Sequence, residues 1–235
     1  MIETVAELPS TNSALLQRIA QGEDVSEGHW LVADRQGAGR GRAGRTWSDA
    51  AGNFMGSTVA VLRAGDPLAP TLALVAGLAV HGAVVATAGV LTGLMLKWPN
   101  DLLVGNAKLA GILLERQADA IVVGIGVNLA SAPDVPDRKT TSLGGRVSRD
   151  DFAAVLAEHW HALLGRWHRG EWPALRQEWI ERAHSAGTLL SVKDAVQGTL
   201  MGAFAGLDPD GAALLRLADG QVRAIHAGDL DLVGE

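Results

Sequence analysis

From Pro67 to Leu96 the chain carries no Asp, Glu, Lys or Arg, and His81 is the one ionisable side chain in that run. A bilayer span needs about 20 consecutive apolar residues, so the segment is long enough to cross a membrane. Its make-up argues otherwise. Ala, Gly, Val and Thr dominate, and Thr87-Ala-Gly89 and Thr92-Gly93 interrupt it. A helix that is apolar all round and too interrupted for a membrane is a core helix. The sequence therefore predicts a buried helix over about 70–86, followed by a strand at 94–98.

Other elements announce themselves by caps and periodicity. Ser10-Thr-Asn12 follows Pro9 and precedes Ala14-Leu-Leu16 and Ile19, an N-cap signal for a short helix. Trp30-Leu-Val-Ala33 reads as a strand running into a Gly/Arg loop, and Phe54 to Leu62 alternates as a second strand. Met95–Val104 and Lys108–Glu115 read as a hairpin turning at Gly105-Asn106, and Ile121–Asn128 as another strand. The polar, Pro- and Gly-containing stretch from Ser131 to Arg146 reads as a mobile loop. Ser148-Arg-Asp-Asp151 resembles a capping box opening an amphipathic helix with Phe152, Leu156, Trp160, Leu163 and Trp167 on one face. Pro173 opens a further helix carrying Leu175, Trp179 and Ala183 and stopping at Gly187. Helical spacing makes these tryptophans core residues.

After Thr188 the pattern changes to short strands separated by Leu207-Asp-Pro-Asp-Gly211 and Ala218-Asp-Gly220. Four or five strands in so short a stretch suggest a small barrel. The expected organisation is α+β, with one domain over 1–187 and a small barrel over 188–235. With no cysteine, disulfides and thiolate metal sites are excluded. The formal charge of −6 argues against broad, non-specific nucleic-acid binding, which rests on an excess of Lys and Arg. The first residues have neither a basic nor an apolar region of signal-peptide type, so a cytoplasmic location is expected.

The residues that carry chemistry cluster in a few motifs. Gly39-Arg-Gly-Arg-Ala-Gly-Arg45 places three arginines among small residues, followed by Thr46-Trp47. Glycine permits close backbone approach, and arginine offers a permanently charged planar fork, so the loop is suited to a phosphate or carboxylate. It also satisfies G-x-G-x-x-G literally. The dinucleotide fingerprint requires a helix to follow, whereas Thr46 to Gly52 continues a helix poorly and a strand comes next. Lys97-Trp-Pro-Asn-Asp101 sets polar heads beside an aromatic, and Lys108 lies in an otherwise apolar strand, where a lysine must meet an anion or snorkel to water. Ser10, Thr11 and Asn12 are a helix cap that could also grip a small polar head group. Gly124-Ile-Gly126-Val-Asn128 could let a ligand approach a strand. His159, His161 and His168 lack any accompanying metal motif and read as a solvated helix face.

In their order, Ser10-Thr-Asn12, Gln36, Gly39-Arg-Gly-Arg42, Gly44-Arg-Thr-Trp47, Lys97-Trp-Pro-Asn-Asp101, Lys108-Leu-Ala-Gly111 and Gly124-Ile-Gly-Val-Asn128 resemble the biotin protein ligases. The tail from Asp210 to Leu230 is similar to that family's small C-terminal SH3-like barrel. The resemblance implies a mixed-sheet biotin/lipoate ligase-like catalytic domain and a two-step reaction. Biotin and Mg2+-ATP give biotinyl-5′-AMP and pyrophosphate, and the biotinyl group then passes to a lysine of a biotin carboxyl carrier domain. By similarity, Arg42 and Lys108 hold the carboxylate–phosphate junction, with Arg40 and Arg45 shaping the loop. Ser10, Thr11, Asn12 and Gln36 meet the ureido head, while Gly39, Arg40, Gly41, Gly111 and Gly124 line the biotin. Arg45, Trp47, Asn100 and Asn128 lie by the adenylate, Trp47 being able to stack on adenine. The resemblance leaves the metal ligands unknown and allows a monomer or a homodimer. Ala43 stands where the family often has a bulkier or basic residue. Some members carry an N-terminal DNA-binding domain; Ser10 already belongs to the catalytic part, so no DNA binding and no membrane association are expected. The rival readings are a lipoate or octanoate ligase or transferase, which would favour an apolar head, and a non-catalytic biotin sensor.

Overall fold

A computed structural model of the chain describes residues 1–48, 50–136, 138–194 and 198–233. Its first sheet has seven strands: β1 (Ile2–Leu8), β2 (Trp30–Gln36), β3 (Phe54–Val61), β4 (Leu94–Lys97), β5 (Asp101–Val104), β6 (Ala107–Gln117) and β7 (Ala120–Val127). They lie in the order β1-β2-β3-β7-β6-β5-β4. β1 runs parallel to β2, and all other neighbours are antiparallel. The parallel pair is joined through α1 (Thr11–Ala20), as a crossover connection requires.

Strand alternation gives the sheet two apolar faces. Leu31, Val59 and Val122 point to one side, where Leu15 of α1 covers them. Val32, Ala60 and Val123 point to the other, toward α2 (Thr71–Ala88), α3 (Arg149–His168) and α4 (Trp172–Glu181). The charge-free segment is thus the central helix α2, sandwiched between the sheet and the α3–α4 pair. Among the described residues it is the one helix long and apolar enough to cross a membrane, and most of its surface is buried inside the protein. Its glycines permit that embedding: a Cβ at Gly82 would overlap the His159 ring of α3. Trp160, Trp167 and Trp179 are fully buried, and Trp167 Nε1 donates to Thr71 Oγ1 at 2.8 Å.

The second sheet comprises β8 (Leu189–Asp194), β9 (Gly198–Leu207), β10 (Ala213–Arg216), β11 (Val222–Ile225) and β12 (Leu230–Leu232), all antiparallel in the order β11-β10-β9-β8-β12. Trp98 Nε1 donates to Gly211 O at 3.0 Å and Trp172 Nε1 to Pro209 O at 2.6 Å, so two indoles of the first unit reach into the second. The architecture is α+β, a mixed sheet with few helices followed by a small antiparallel unit.

Several elements differ from the sequence reading. Met95–Val104 is not one strand but two, β4 and β5, hairpinned through Trp98-Pro99-Asn100, because Pro99 has no N–H with which to continue a ladder. β1 was not anticipated; at the sheet edge its side chains are exposed or half-buried, so it lacks an apolar signature. On α3 the buried residue is Leu164 rather than Leu163. α4 ends at Glu181, leaving Ala183 and Gly187 in a connection whose Ala183 bridges Leu96.

Candidate active site

One cavity of about 290 Å³ opens over β6 and β7, and every site residue named from the sequence lines it except Gly39. Its floor is built by the start of α1. Ser10 caps the helix, its Oγ accepting from Ser13 N at 3.4 Å, which fixes Thr11 and Asn12 in the first turn. Gln36, at the end of β2, accepts through Oε1 from Thr11 N at 2.7 Å and from Thr11 Oγ1 at 3.2 Å. Ser57 of β3 shares a hydrogen bond with Thr11 Oγ1 at 2.6 Å and donates to Asn12 Oδ1 at 2.5 Å. Asn12 Nδ2 donates to Glu115 at 2.9 Å, and Glu115 also accepts from Arg40 at 3.0 Å. Ser10, Thr11, Asn12, Gln36 and Ser57 are almost wholly buried, with Glu115 and Arg40 at the more exposed margin, and a buried polar network is stable only when its members are mutually satisfied. A Cβ at Gly124 would overlap Asn12 Oδ1, so glycine there is a condition of the floor.

The Gly/Arg loop crosses above as a strap. Gly39 is off the cavity wall, and its role is local: its carbonyl accepts from Trp47 N at 2.9 Å, and a Cβ on it would meet the Trp47 carbonyl. Gly41 N donates to Arg45 O at 2.7 Å and Arg40 bridges Thr46, closing a tight turn. Ala43 and Gly44 occupy its apex in the left-handed region, at φ 53° and 72°. That conformation costs an alanine about 1–2 kcal/mol, and such strain concentrates where a ligand or a contact over-determines the backbone. No helix follows, as the rejection of the dinucleotide reading requires.

Trp47 lies on the sheet. A Cβ at Gly126 would overlap its indole and one at Gly111 would crowd it, so these glycines make room for the ring itself. Lys108 Nζ sits 5.8 Å from the ring centroid, and Trp47 Nε1 is buried with no hydrogen-bond partner among the described residues.

The far end is cationic. Lys108 Nζ pairs with Asp101 at 2.5 Å, and Arg138 with the same carboxylate at 3.4 Å. Arg42 donates to Asn100 Oδ1 at 3.2 Å and to Asp229 at 3.3 Å, and Arg45 to Asp229 at 2.7 Å. Among the described residues, four cations thus face two carboxylates, an excess of two positive charges. Burial pushes the Lys108 ammonium below the usual lysine value, while Asp101 pulls it back up. Burial alone would raise the Asp229 carboxyl, but Arg45, Arg42 and Arg138 bring it below the usual range. An anion entering here meets positive charge already fixed in place, with Lys108 nearly buried and the arginines part-exposed, which attracts it more strongly than the same charges free in water. Asn100 and Asn128 are braces. Asn100 Nδ2 donates to Ile112 O at 2.6 Å, and Asn128 Nδ2 to Thr141 O at 3.0 Å, which ties the 131–146 stretch beside the cavity. That stretch also sends Pro133, Val135, Arg138 and Thr140 to the wall.

Ser57, Glu115, Arg138 and Asp229 were not named as site residues from the sequence. Ser57 and Glu115 had a signal, each being a polar residue at the edge of an apolar run within its strand. Arg138 and Asp229 had none, since irregular backbone brings both of them in. Among the described residues no group of three or more His, Cys, Asp or Glu side chains is placed to hold a metal. His168, one of the three helix histidines, instead bonds Asp66 at 2.9 Å and Glu27 at 3.0 Å.

Comparison with known proteins agrees with this geometry. Residues 5–129 match the Biotin/lipoate A/B protein ligase family, and residues 192–233 the Biotin protein ligase C terminal domain. The chain is 36% identical to a biotin–[acetyl-CoA-carboxylase] ligase of Paracoccus denitrificans, over 90% of this chain and 92% of that one. It is 34% identical to the ligase of the same name in Mycobacterium tuberculosis, over 97% and 88% respectively. Among solved structures, a biotin protein ligase of Aquifex aeolicus in complex with biotin and ATP superposes with a TM-score of 0.83, at 26% identity over 98% of this chain and 97% of that one.

Proposed function

This chain belongs to the Biotin/lipoate A/B protein ligase family, and from that premise and the cavity we propose that it is an ATP-dependent biotin protein ligase, with the site residues in the roles that follow. The observation that carries the proposal is the polarity of the cavity from end to end. A buried cluster of Thr11, Asn12, Gln36 and Ser57 suits a ureido group, which presents one carbonyl and two N–H donors. The opposite end, with its excess of positive charge, suits a carboxylate meeting a phosphate. A lipoyl chain ends in an apolar ring and would leave the buried polar floor unpaired, which is costly.

In the first step a carboxylate oxygen of biotin attacks the α-phosphorus of ATP, the bond to the β-phosphate oxygen breaks, and pyrophosphate leaves. Two anions must approach each other. Arg42 and Lys108 offset that repulsion and meet the charge developing on the α-phosphate oxygens. Arg45 and Arg138 stand behind them, Asn100 orients Arg42, and Trp47 packs beside the nucleotide. An Mg2+ would arrive coordinated to the phosphates of ATP, the ordinary way for that ion to enter a nucleotide site. In the second step a carrier-domain lysine attacks the acyl carbon and AMP leaves. Water must be kept from the mixed anhydride meanwhile, and the Gly39–Trp47 strap and the 131–146 stretch are the covers available.

The catalytic unit is placed at 1–187 and the barrel at 188–235, supported by the absence of any strand ladder between the two sheets among the described residues. A biotin carboxyl carrier domain is the acceptor. The location is taken as cytoplasmic, and the formal charge of −6 argues against broad, non-specific nucleic-acid binding. The test is pyrophosphate–ATP exchange with biotin or lipoate, followed by transfer to a purified carrier domain. Biotin-dependent exchange and labelling are expected. Exchange driven by lipoate alone, or biotin binding without exchange, would overturn the proposal.

A further inference from the structure

β12 is short, and its side chains follow the two-residue alternation of a strand. Leu230 is 1% exposed and locked into the core, while Asp229 and Asp231 on either side of it turn toward the first unit. Asp231 pairs with Lys97 of β4 at 2.7 Å. Asp229 stands 2.7 Å from Arg45, 3.3 Å from Arg42 and 3.8 Å from Arg138, and the Gly228 carbonyl accepts from Arg42 at 3.5 Å. Gly228 has φ 118°, a conformation open to glycine, and it sets the carbonyl and the carboxylate side by side. The strand itself is held by its ladder to β8 and by Leu230, in addition to these ion pairs.

The Gly/Arg loop is the reverse case. Between Gly39 and Trp47 its internal order is one short 3-10 turn at Arg42–Gly44 and the Arg40–Thr46 bridge. Arginine forks on such a loop take their direction from fixed acceptors outside it. For Arg42 these are Asn100, Gly228 and Asp229; for Arg45, outside the loop, Asp229.

We propose that Asp229 is a positioning residue for adenylation: from the second sheet it holds Arg42 and Arg45 over the cavity and so controls both the rate at which the adenylate forms and how long it is retained. Asp229 makes and breaks no bond in the reaction and acts through the two arginines. The catalytic half of the proposal rests on the ligase reading above; the tether does not. Biotin binding depends on it less than adenylation does, because the ureido-binding floor lies at the other end of the cavity and includes none of these contacts, and Arg42 meets the carboxylate end alone.

The test uses the full chain with Asp229→Asn and Asp229→Glu. Hydrogen exchange of residues 39–47 in ligand-free protein reads the tether without catalysis. It should be faster in Asp229→Asn and restored in Asp229→Glu, and equal exchange in all three proteins would overturn the tether. Calorimetric biotin affinity should fall by no more than a few-fold, through the carboxylate end alone, and its retention shows that the variant is folded. Single-turnover adenylate formation should slow, and adenylate release should quicken, each by about ten- to a hundred-fold, the usual cost of misplacing a positioned group, with Asp229→Glu recovering most of both. Tighter ATP binding with faster formation in Asp229→Asn would overturn the proposal by making the carboxylate a competitor of phosphate. Parallel loss of biotin affinity would overturn it by making the contact merely structural. Absence of adenylate from the unmodified chain would overturn the ligase reading and leave the tether to the exchange measurement.

Discussion

At the scale of single residues the site depends on a lysine and a glycine. Lys108 is a nearly buried ammonium whose burial penalty is offset by Asp101. Lys108→Ala should lower biotin-dependent adenylate formation by about 10²–10³-fold, the loss typical of removing one preorganised donor from a developing anion. The chain should stay folded, because Arg138 remains as a partner for Asp101. Pyrophosphate–ATP exchange beside a thermal melt checks this, and full activity would remove Lys108 from the mechanism. Gly124→Ala acts at the other end. Its methyl group would displace Asn12, which is bonded to Ser57 and Glu115, so the polar floor has to open. Biotin affinity should fall by at least about ten-fold, one to two kcal/mol for a disturbed buried polar network, and titration calorimetry would measure it. Unchanged affinity would place the head group elsewhere. Both residues were legible in the sequence because each breaks its strand's pattern: a charge at Lys108, missing side chains at Gly124 and Gly126. Asp229 was not legible, since an aspartate before a short terminal strand looks like any surface residue until the fold brings Arg42 to it.

At the scale of elements, legibility followed the strength of local rules. α1, α2 and α3 were readable because a cap or an unbroken apolar run fixes a helix locally, and Ser148 does cap α3, accepting from Asp151 N at 3.1 Å. The β4–β5 turn was not: Pro99-Asn100-Asp101 are turn residues, but the apolar runs that flank them, Met95-Leu96 and Leu102–Val104, read as one strand until the sheet shows that the chain doubles back. The two irregular covers were readable as loops but not as walls. Their backbone lies outside the regular ladders: the 39–47 strap is held by one bridge and a short turn, the 131–146 stretch by Asn53, Asn128 and Leu129 and by the bridges Thr140–Lys108 and Val135–Arg138. Segments outside regular ladders open at lower free energy than the strands of the core, and a bound adenylate spanning both would stabilise them by mass action. Limited trypsin digestion should therefore cut at Arg40–Arg45 and at Arg138 in the empty protein, and more slowly with biotin plus ATP. Biotin without ATP should protect less, since the cationic end stays unfilled. Identical digestion patterns would show that neither segment closes over the ligand.

At the scale of the whole molecule, the two sheets are separate in topology but not in packing. Leu190, Val192, Phe204, Leu207, Leu215 and Leu230 of the second sheet belong to the same continuous core as α2, α3 and α4 of the first. The buried indoles of Trp98 and Trp172 donate to carbonyls of Gly211 and Pro209, across the place where the sequence changes character. A cut after residue 187 would therefore do three things at once. It would expose apolar surface at about 25 cal/mol per Å², leave two indole N–H groups without acceptors at about 1–3 kcal/mol each where they stay buried, and strip Arg42, Arg45 and Lys97 of their carboxylates. A domain of this size has roughly 5–15 kcal/mol of net stability to lose. The fragment 1–187 should accordingly melt without a sharp transition, or at least about 10 °C below the full chain, and should bind biotin weakly although its ureido-binding floor is intact in sequence. Differential scanning calorimetry of the fragment and the full chain decides the matter. A cooperative transition within a few degrees of the parent would mean that the shared core contributes little, and that the boundary near 187 is energetic as well as topological. The expected result makes the small C-terminal unit a structural part of the active site, since it completes the core beneath the cavity and supplies Asp229 to the arginines above it.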